Sequence, residues 1–298
     1  ETSLQYRRIS ILNIRKAIIP VAGFGTRMLP ASKSVPKSIL PVFDTPAVHL
    51  IAKEAADAGI EHAIFIVSPG QGAITEYFNN IPELERALEQ RDDSDNLCRM
   101  YSINNMIATS EIVQREQLGL GAAILEAKNV IGDEPFAVLL PDDIIMSSKP
   151  TIGEMANLFD NSGNTIIAVR EAPKKQLTNL GVVEATQLED RIYNIQSLVE
   201  KPPPCEAPSN LGIVGRYILT PQIFEELEKT EPGIGGEIQI TDALSKLLSE
   251  ETALAYKFPG VHFDVGTPFG LLQASVYSAL QRSGVNVELR TWLSGMLK

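Results

Sequence analysis

The chain is predicted to fold as an α/β protein around a mixed, largely parallel central sheet, and three observations carry that prediction. Short apolar, β-rich runs alternate with segments of helical periodicity. The first of these runs ends in a glycine-bearing loop rather than a hairpin turn. The 298 residues, 44% of them apolar, suffice for one large buried core, and no run approaches the roughly 18 uninterrupted apolar residues of a membrane span.

Taken in order, Lys16 to Val21 (KAIIPV) reads as a buried strand feeding the loop Ala22-Gly23-Phe24-Gly25. Pro46 opens a helix in which Val48, Ile51, Ala52 and Ala55 keep helical spacing, and Gly59 supplies its stop. A second strand is expected at His62 to Ser68. Further strands are expected at Met106 to Val113, Phe136 to Leu140, Asn164 to Arg170, Gly181 to Ala185, Ile195 to Glu200 and Leu211 to Leu219. Helical patterns fall at Leu118 to Val130, Ile152 to Phe159, Pro221 to Lys229 and Thr241 to Glu250. The alternation is βαβ-like early and more mixed after about residue 160. With no internal repeat, low-complexity segment or long linker, the expected organisation is an N-terminal extension over 1–15, one domain over 16–266 and a C-terminal helical segment over 267–298.

A formal net charge of −11 argues against nonspecific nucleic-acid binding, which depends on a broad basic surface. The charge is unevenly distributed. Residues 1–43 hold seven basic side chains (Arg7, Arg8, Arg15, Lys16, Arg27, Lys33, Lys37) against Glu1 alone, in a chain whose totals are 26 basic and 37 acidic residues. A local cationic island with glycines suits a small polyanion. The start has only a short apolar patch around Ile9 to Ile14, too weak for a secretory signal, and Glu1 in place of Met leaves room for a missing native N-terminus. Cys98 and Cys205 build neither a disulfide framework nor a Cys-x-x-Cys pair, so a reducing cytoplasm fits best.

Ligands of such sheets settle beyond the carboxyl ends of the strands, which directs attention to three places. In the loop after Val21, Gly23, Gly25 and Thr26 stand near two cations, Arg27 and Lys37, a combination of backbone amides and charge that suits a triphosphate. The segment lacks the third Gly of the dinucleotide fingerprint and the Gly-Lys-Ser/Thr of the P-loop. Glycines alone would suggest an ordinary turn; the cations and the preceding strand favour a site. After Leu140, Asp142 and Asp143 offer adjacent carboxylates, and Asp264 in His262-Phe263-Asp264 offers another; magnesium takes one or two carboxylates plus substrate oxygens. The plainer alternative for each is a turn or helix cap. Glu200-Lys201-Pro202 follows a third strand. His49, His62 and His262 have no i,i+4 pairing and no nearby Cys, which argues against zinc, and there is no Gly-x-Ser-x-Gly elbow.

The stretch KAIIPVAGFGTRMLPASKSVPKSILPVFDTP resembles the opening of bacterial UTP:glucose-1-phosphate uridylyltransferases, members of the sugar-phosphate nucleotidyltransferase superfamily. The likeness continues in order through QREQLGLGAAIL, GDEPFAVLLPDD, GVVEA, VEKPPPCEAPSNLGIVGRYIL, GGEIQITDAL and FDVGTPFGLLQA, from about residue 15 to 275. It implies a Rossmann-like three-layer α/β/α nucleotidyltransferase fold, a catalytic role for the domain over 16–266, and a homodimer or homotetramer. It also implies residue roles. Ala22 and Gly23 would present backbone to the uracil, with Gly25, Thr26 and Gly119 in the same nucleotide-binding set, and Arg27 and Lys37 would face the phosphates as catalytic cations. Gln114 would read the base, donating to a uracil carbonyl while accepting from N3–H. Asp142 and Asp264 would hold Mg2+. Gly181, Glu200, Lys201 and Asn210 would meet the sugar phosphate. The sequence departs from the family pattern at Val113 (commonly Arg), Ala122 (His), Ser38 (Glu) and Leu180 (Tyr). These departures touch the base and sugar pockets and spare every proposed catalytic charge.

The expected chemistry is in-line attack of the sugar 1-phosphate on the α-phosphorus of UTP, releasing pyrophosphate, with catalysis by positioning and charge neutralisation. The alternatives are a related transferase using dTTP or another sugar 1-phosphate, and a noncatalytic regulatory paralogue; the retained Arg27, Lys37, Asp142 and Asp264 favour an enzyme.

Overall fold

The computed structural model describes residues 13–70 and 72–296. The predicted extension, including Arg7 and Arg8, lies largely outside the described residues. The first strand, β1 (Lys16–Pro20), forms where the KAIIPV run predicts it. Beyond the glycine loop, β2 (Pro41–Val42) and β3 (Thr45–Pro46) pair and lead into α1 (Ala47–Asp57), which buries Val48, Ile51, Ala52 and Ala55. Gly59 follows with φ 87°, a left-handed conformation that suits glycine after a helix. β4 (His62–Val67) then pairs parallel to β1.

Three helices come next: α2 (Ala73–Glu76), α3 (Pro82–Glu89) and α4 (Ser94–Asn104). They have no counterpart among the expected elements because they show almost no apolar face; α3 buries nothing and α4 buries only Met100. Their signals are terminal instead. Pro82 occupies the first turn of α3, and the Asp93 carboxylate caps α4 by accepting from Asn96 N at 3.2 Å. After β5 (Ala108–Val113), the single helix expected over Leu118 to Val130 is divided into α5 (Leu120–Glu126) and α6 (Lys128–Ile131), which ends at Gly132 with φ 68°.

The remaining order is β6 (Phe136–Leu139), β7 (Asp143–Met146), α7 (Thr151–Ser162), β8 (Thr165–Glu171), α8 (Lys174–Leu177), β9 (Gly181–Glu189), β10 (Ile192–Glu200), β11 (Leu211–Leu219), α9 (Ile223–Glu228), α10 (Ile240–Leu247), β12 (Ala253–Lys257) and β13 (Val261–Asp264). Two helices, α11 (Pro268–Gln281) and α12 (Asn286–Met296), close the chain. β7, β12 and β13 are four- or five-residue strands without a long apolar run, which is why the pattern did not announce them.

The main sheet has nine strands in the order β5-β4-β1-β6-β11-β8-β12-β10-β9. It is parallel through β5-β4-β1-β6 and again at β8-β12, and antiparallel wherever β11 or β10 pairs. β1 lies between two parallel neighbours, β4 on one side and β6 on the other, both reached later in the chain, so a crevice opens outside the carboxyl ends of β1 and β6. Strand alternation supplies two cores. Ala17, Ile19, Phe65 and Leu139 point to the face covered by α1 and α7, whereas Ile18, Ile64, Ile66 and Val138 point to the face covered by α5, α9 and α10. On the second face Phe136 stacks on Phe224 with centroids 5.2 Å apart, each such side chain contributing about 1.5–3 kcal/mol by burial. The result is a three-layer α/β/α body whose carboxyl edge carries the candidate site.

Candidate active site

The loop after β1 is fixed by bonds from neighbouring strands. Val21 N donates to Ile66 O at 2.8 Å, and the Ala22 carbonyl accepts from both Ser68 Oγ (2.5 Å) and Gln117 Nε2 (2.6 Å). Gly25 adopts φ 63° at the start of a 3-10 turn over Thr26–Met28; a Cβ there would lie 3.1 Å from Lys37 Cβ and 3.2 Å from Ser32 Cβ. The glycine therefore serves both the left-handed backbone and the close approach of the Lys37 stem. Gly23 runs along the same side chain, its Cβ position 3.8 Å from Lys37 Cε. Thr26 is exposed in the same turn.

Four charged residues expected from three distant segments meet here. Lys37 Nζ donates to Asp142 Oδ2 at 2.5 Å, and Arg27 reaches the same oxygen at 3.7 Å and Asp264 Oδ2 at 3.5 Å. β13 brings Asp264 in: Val265 N donates to the Asp142 carbonyl at 2.8 Å, and Gly266 N donates to Asp264 Oδ1 at 3.0 Å. Burial pushes the Asp264 carboxyl above the usual carboxylate range; Arg27 opposes the rise, while Asp142 and Asp143 add to it. No cluster of three or more His, Cys, Asp or Glu able to hold a metal occurs among the described residues. Two reachable carboxylates, already drawing cations, match an ion that takes its remaining ligands from substrate phosphates and water.

Asp142 and Asp143, adjacent in sequence, are not a shared ligand position. Asp143 turns away, its Oδ1 bonded to His262 Nε2 at 2.6 Å and its Oδ2 accepting from Gly215 N at 3.1 Å. Burial alone would raise this carboxyl, but the His262 hydrogen bond and charge, with Arg216 and Gly215 N, hold it below the usual range. Behind it lies a buried ion pair that sequence reasoning missed. Arg216 is fully buried; its guanidinium bonds Glu54 (NH2 to Oε2 2.7 Å) and donates to the carbonyls of Leu140 and Gly215, both at 3.2 Å. The signal was an Arg inside an otherwise apolar strand, LGIVGRYIL.

Gln114 follows β5 and donates its backbone N–H to Val67 O at 2.9 Å; its side chain is buried, and Nε2 has no partner among the described residues. Gly119 caps α5 with φ 95°, and a Cβ there would lie 2.7 Å from Glu237 Cβ, so the residue type is dictated by close approach to the 237–238 segment. Gln117, which pins the Ala22 carbonyl, was not among the expected site residues. Of the departures, Val113 is exposed, Ser38 is buried with no partner for its Oγ among the described residues, Ala122 sits half-buried on α5, and Leu180 packs near Gly212.

The second group lies along β9 and β10, where Gly181 pairs with Glu200. A Cβ on Gly181 would meet Ile213 Cδ1 at 2.9 Å, Thr241 Oγ1 at 3.1 Å and Glu200 Oε2 at 3.3 Å. Thr241 Oγ1 donates to Glu200 Oε2 at 2.7 Å, and Lys201 Nζ stands 3.0 Å from Glu200 Oε1. Lys201 has φ 45°, a strained conformation for a non-glycine residue of the kind that concentrates at functional sites. Asn210 is exposed just before β11, its carbonyl accepting from Ala172 N at 2.9 Å. Thr241 is a further residue missed in the sequence; it lies in the GGEIQITDAL segment without a charge to mark it.

A three-layer α/β/α body with a glycine loop, paired cations and paired carboxylates at its carboxyl edge defines a phosphate-handling transferase class. The nucleotidyl transferase family model matches residues 16–280, and the chain belongs to that family. It is 41% identical over 284 residues to the UTP--glucose-1-phosphate uridylyltransferase of Bacillus subtilis (strain 168), covering 95% of this chain and 97% of the relative. A similar match, 42% identical over 276 residues, is the uridylyltransferase of the same description from Staphylococcus haemolyticus (strain JCSC1435), covering 93% of this chain and 96% of the relative. Among solved structures, the UTP-bound UGPase from Acinetobacter baumannii superposes with a TM-score of 0.87 at 38% identity, covering 94% of this chain and 98% of that one. A UDP-glucose pyrophosphorylase complexed with UDP-glucose superposes with a TM-score of 0.82 at 37% identity, covering 90% and 100%.

Proposed function

We propose that this chain transfers a uridylyl group from UTP to glucose 1-phosphate, giving UDP-glucose and pyrophosphate. The observation that carries the proposal is the meeting of Arg27, Lys37, Asp142 and Asp264 beside the Gly23–Gly25 loop; the relatives described as UTP--glucose-1-phosphate uridylyltransferases supply the substrate pair.

Ala22, Gly23, Gly25, Thr26, Gln114 and Gly119 form the nucleotide side. Gln114 Nε2, without a partner among the described residues, can donate to a uracil carbonyl while the amide oxygen accepts from N3–H. Glu200 accepts from sugar hydroxyls and is held in place by Thr241, Lys201 pairs with the sugar phosphate, and Gly181 and Asn210 border the same pocket. A phosphate oxygen of glucose 1-phosphate attacks the α-phosphorus of UTP in line, forming the new P–O bond as the bond to pyrophosphate breaks. Lys37 and Arg27 meet the negative charge that grows on the leaving group. Asp142 and Asp264 would hold magnesium, which supplies charge neutralisation on the triphosphate oxygens.

The test is pyrophosphate release by purified protein with magnesium, comparing UTP and dTTP, and glucose 1-phosphate and galactose 1-phosphate. Fastest release from UTP with glucose 1-phosphate is the expected result. Fastest release from another pair refutes the substrate assignment, and silence from folded protein that binds UTP refutes the enzyme assignment in favour of a regulator.

A further inference from the structure

A third carboxylate, Asp143, stands beside the proposed metal pair Asp142 and Asp264. In the ladder between β7 and β13, Asp143 lies directly opposite Asp264, an arrangement of like charges that is destabilising in an antiparallel pair. Asp143 could relieve it by turning toward the cationic side of the site, where it would crowd Asp142 and Asp264. The structure shows it tied back. His262, two residues before Asp264 on β13 and diagonal to Asp143 in the register, is itself almost wholly buried and contacts Asp143 Oδ1 through Nε2 at 2.6 Å, so that nitrogen carries the proton. The other oxygen is closed off by Gly215 N at 3.1 Å, and Gly215 can carry no side chain because a Cβ would lie 2.5 Å from Asp143 Oδ2. The Arg216 charge faces the same carboxylate, and Asp143 in turn acts on Arg170.

We infer that His262 is a positioning residue of the reaction: by holding Asp143 it keeps that carboxylate out of the metal site and fixes β13 so that Asp264 faces Asp142. This rests on the assignment of Asp142 and Asp264 as the metal pair. Residues that hydrogen-bond a metal ligand typically contribute ten- to a hundredfold in metal affinity; His262 acts on the metal pair one step further out, through Asp143 and the β13 backbone, and its loss is placed on that scale.

The test is calorimetric binding of MnUTP and of metal-free UTP to wild-type protein, His262→Phe and His262→Gln. The ratio of the two affinities reports contact between the protein and the metal, separately from contact with the nucleotide and from turnover. The wild-type ratio should be well above one. His262→Phe keeps an aromatic ring but loses the donor and should lower the ratio by roughly tenfold to a hundredfold with metal-free UTP affinity unchanged; His262→Gln, with an amide donor, should recover most of the loss. A His262→Phe ratio equal to wild type, with only its melting temperature lowered, overturns the positioning role and leaves a structural strand clamp. Loss in both variants without rescue by Gln also overturns it. A wild-type ratio of one refutes the metal pair itself, and the role of His262 with it.

Discussion

Replacing Glu54 by Ala would expose how the buried ion pair supports the site. Glu54 accepts from Arg216 Nε at 3.1 Å and NH2 at 2.7 Å, and its Oε1 also accepts from Ile152 N at 3.1 Å. Arg216 has no exposed surface, so the variant strands a guanidinium in the core. Breaking a buried pair by removing one partner costs about 3–5 kcal/mol, and the orphaned Ile152 N–H adds about 1 kcal/mol. That total, about 4–6 kcal/mol, is a large share of a stability of about 5–15 kcal/mol. Unfolding entropy of about 2.1 cal/mol/K per residue over 298 residues gives about 1.6 °C per kcal/mol, so the melting temperature should fall by about 6–10 °C. Thermal melts should also show that Glu54→Leu combined with Arg216→Met recovers most of the loss, since an apolar pair of similar volume replaces both charges. A single variant that melts within about 2 °C of wild type, the equivalent of about 1 kcal/mol, would refute the reasoning. Arg216 also donates to the Leu140 carbonyl just ahead of Asp142, so the surviving folded fraction should bind metal less well.

Other perturbations probe the site directly. Lys37→Ala removes the cation at Asp142 and should lower kcat by about 10²–10³, the effect of losing one preorganised charge donor, with an unchanged far-UV spectrum; near-normal turnover would remove Lys37 from the chemistry. Gly181→Ala drives a methyl group toward Thr241 Oγ1 and Glu200 Oε2 and should raise KM for glucose 1-phosphate with little change for UTP, and an unchanged sugar KM would separate Gly181 from the sugar subsite. Burial lowers the pKa of both His49 and His62 below 6.5, with Lys53 and Lys16 respectively adding to the effect. The folded state thus binds fewer protons than the unfolded one, so stability should be full above pH 6.5 and decline as pH falls toward the lowered folded values. Melting curves of His49→Gln/His62→Gln should decline less across that window; an identical slope would contradict the assignment.

The parts of this fold that bury apolar faces were legible in the amino-acid sequence, because period-2 and period-3.6 patterns record burial directly. β1, α1 and β11 fall where Ile18, Ile51 and Ile218 require them. Elements held by caps and ladder bonds left little pattern: α3 buries no side chain, and β7 and β13 are known mainly by their pairing with each other. In the site, charge and glycine marked Arg27, Lys37, Asp142, Asp264 and Glu200. Residues acting through another residue carried no such mark. Gln117, Thr241 and His262 are ordinary in composition and acquire meaning only when folding puts them against Ala22, Glu200 and Asp143. Asp143 is the converse: adjacency to Asp142 suggested a shared role, and the strand turn gave the two opposite surroundings.

Direct transfer between two bound substrates can be tested by isotope exchange. Labelled pyrophosphate is incubated with UTP, magnesium and the protein, with and without glucose 1-phosphate. If the sugar phosphate itself attacks the α-phosphorus, label enters UTP only when glucose 1-phosphate is present. Rapid exchange in its absence would require a uridylyl group parked on the protein and would contradict the one-step mechanism assigned to Arg27, Lys37, Asp142 and Asp264.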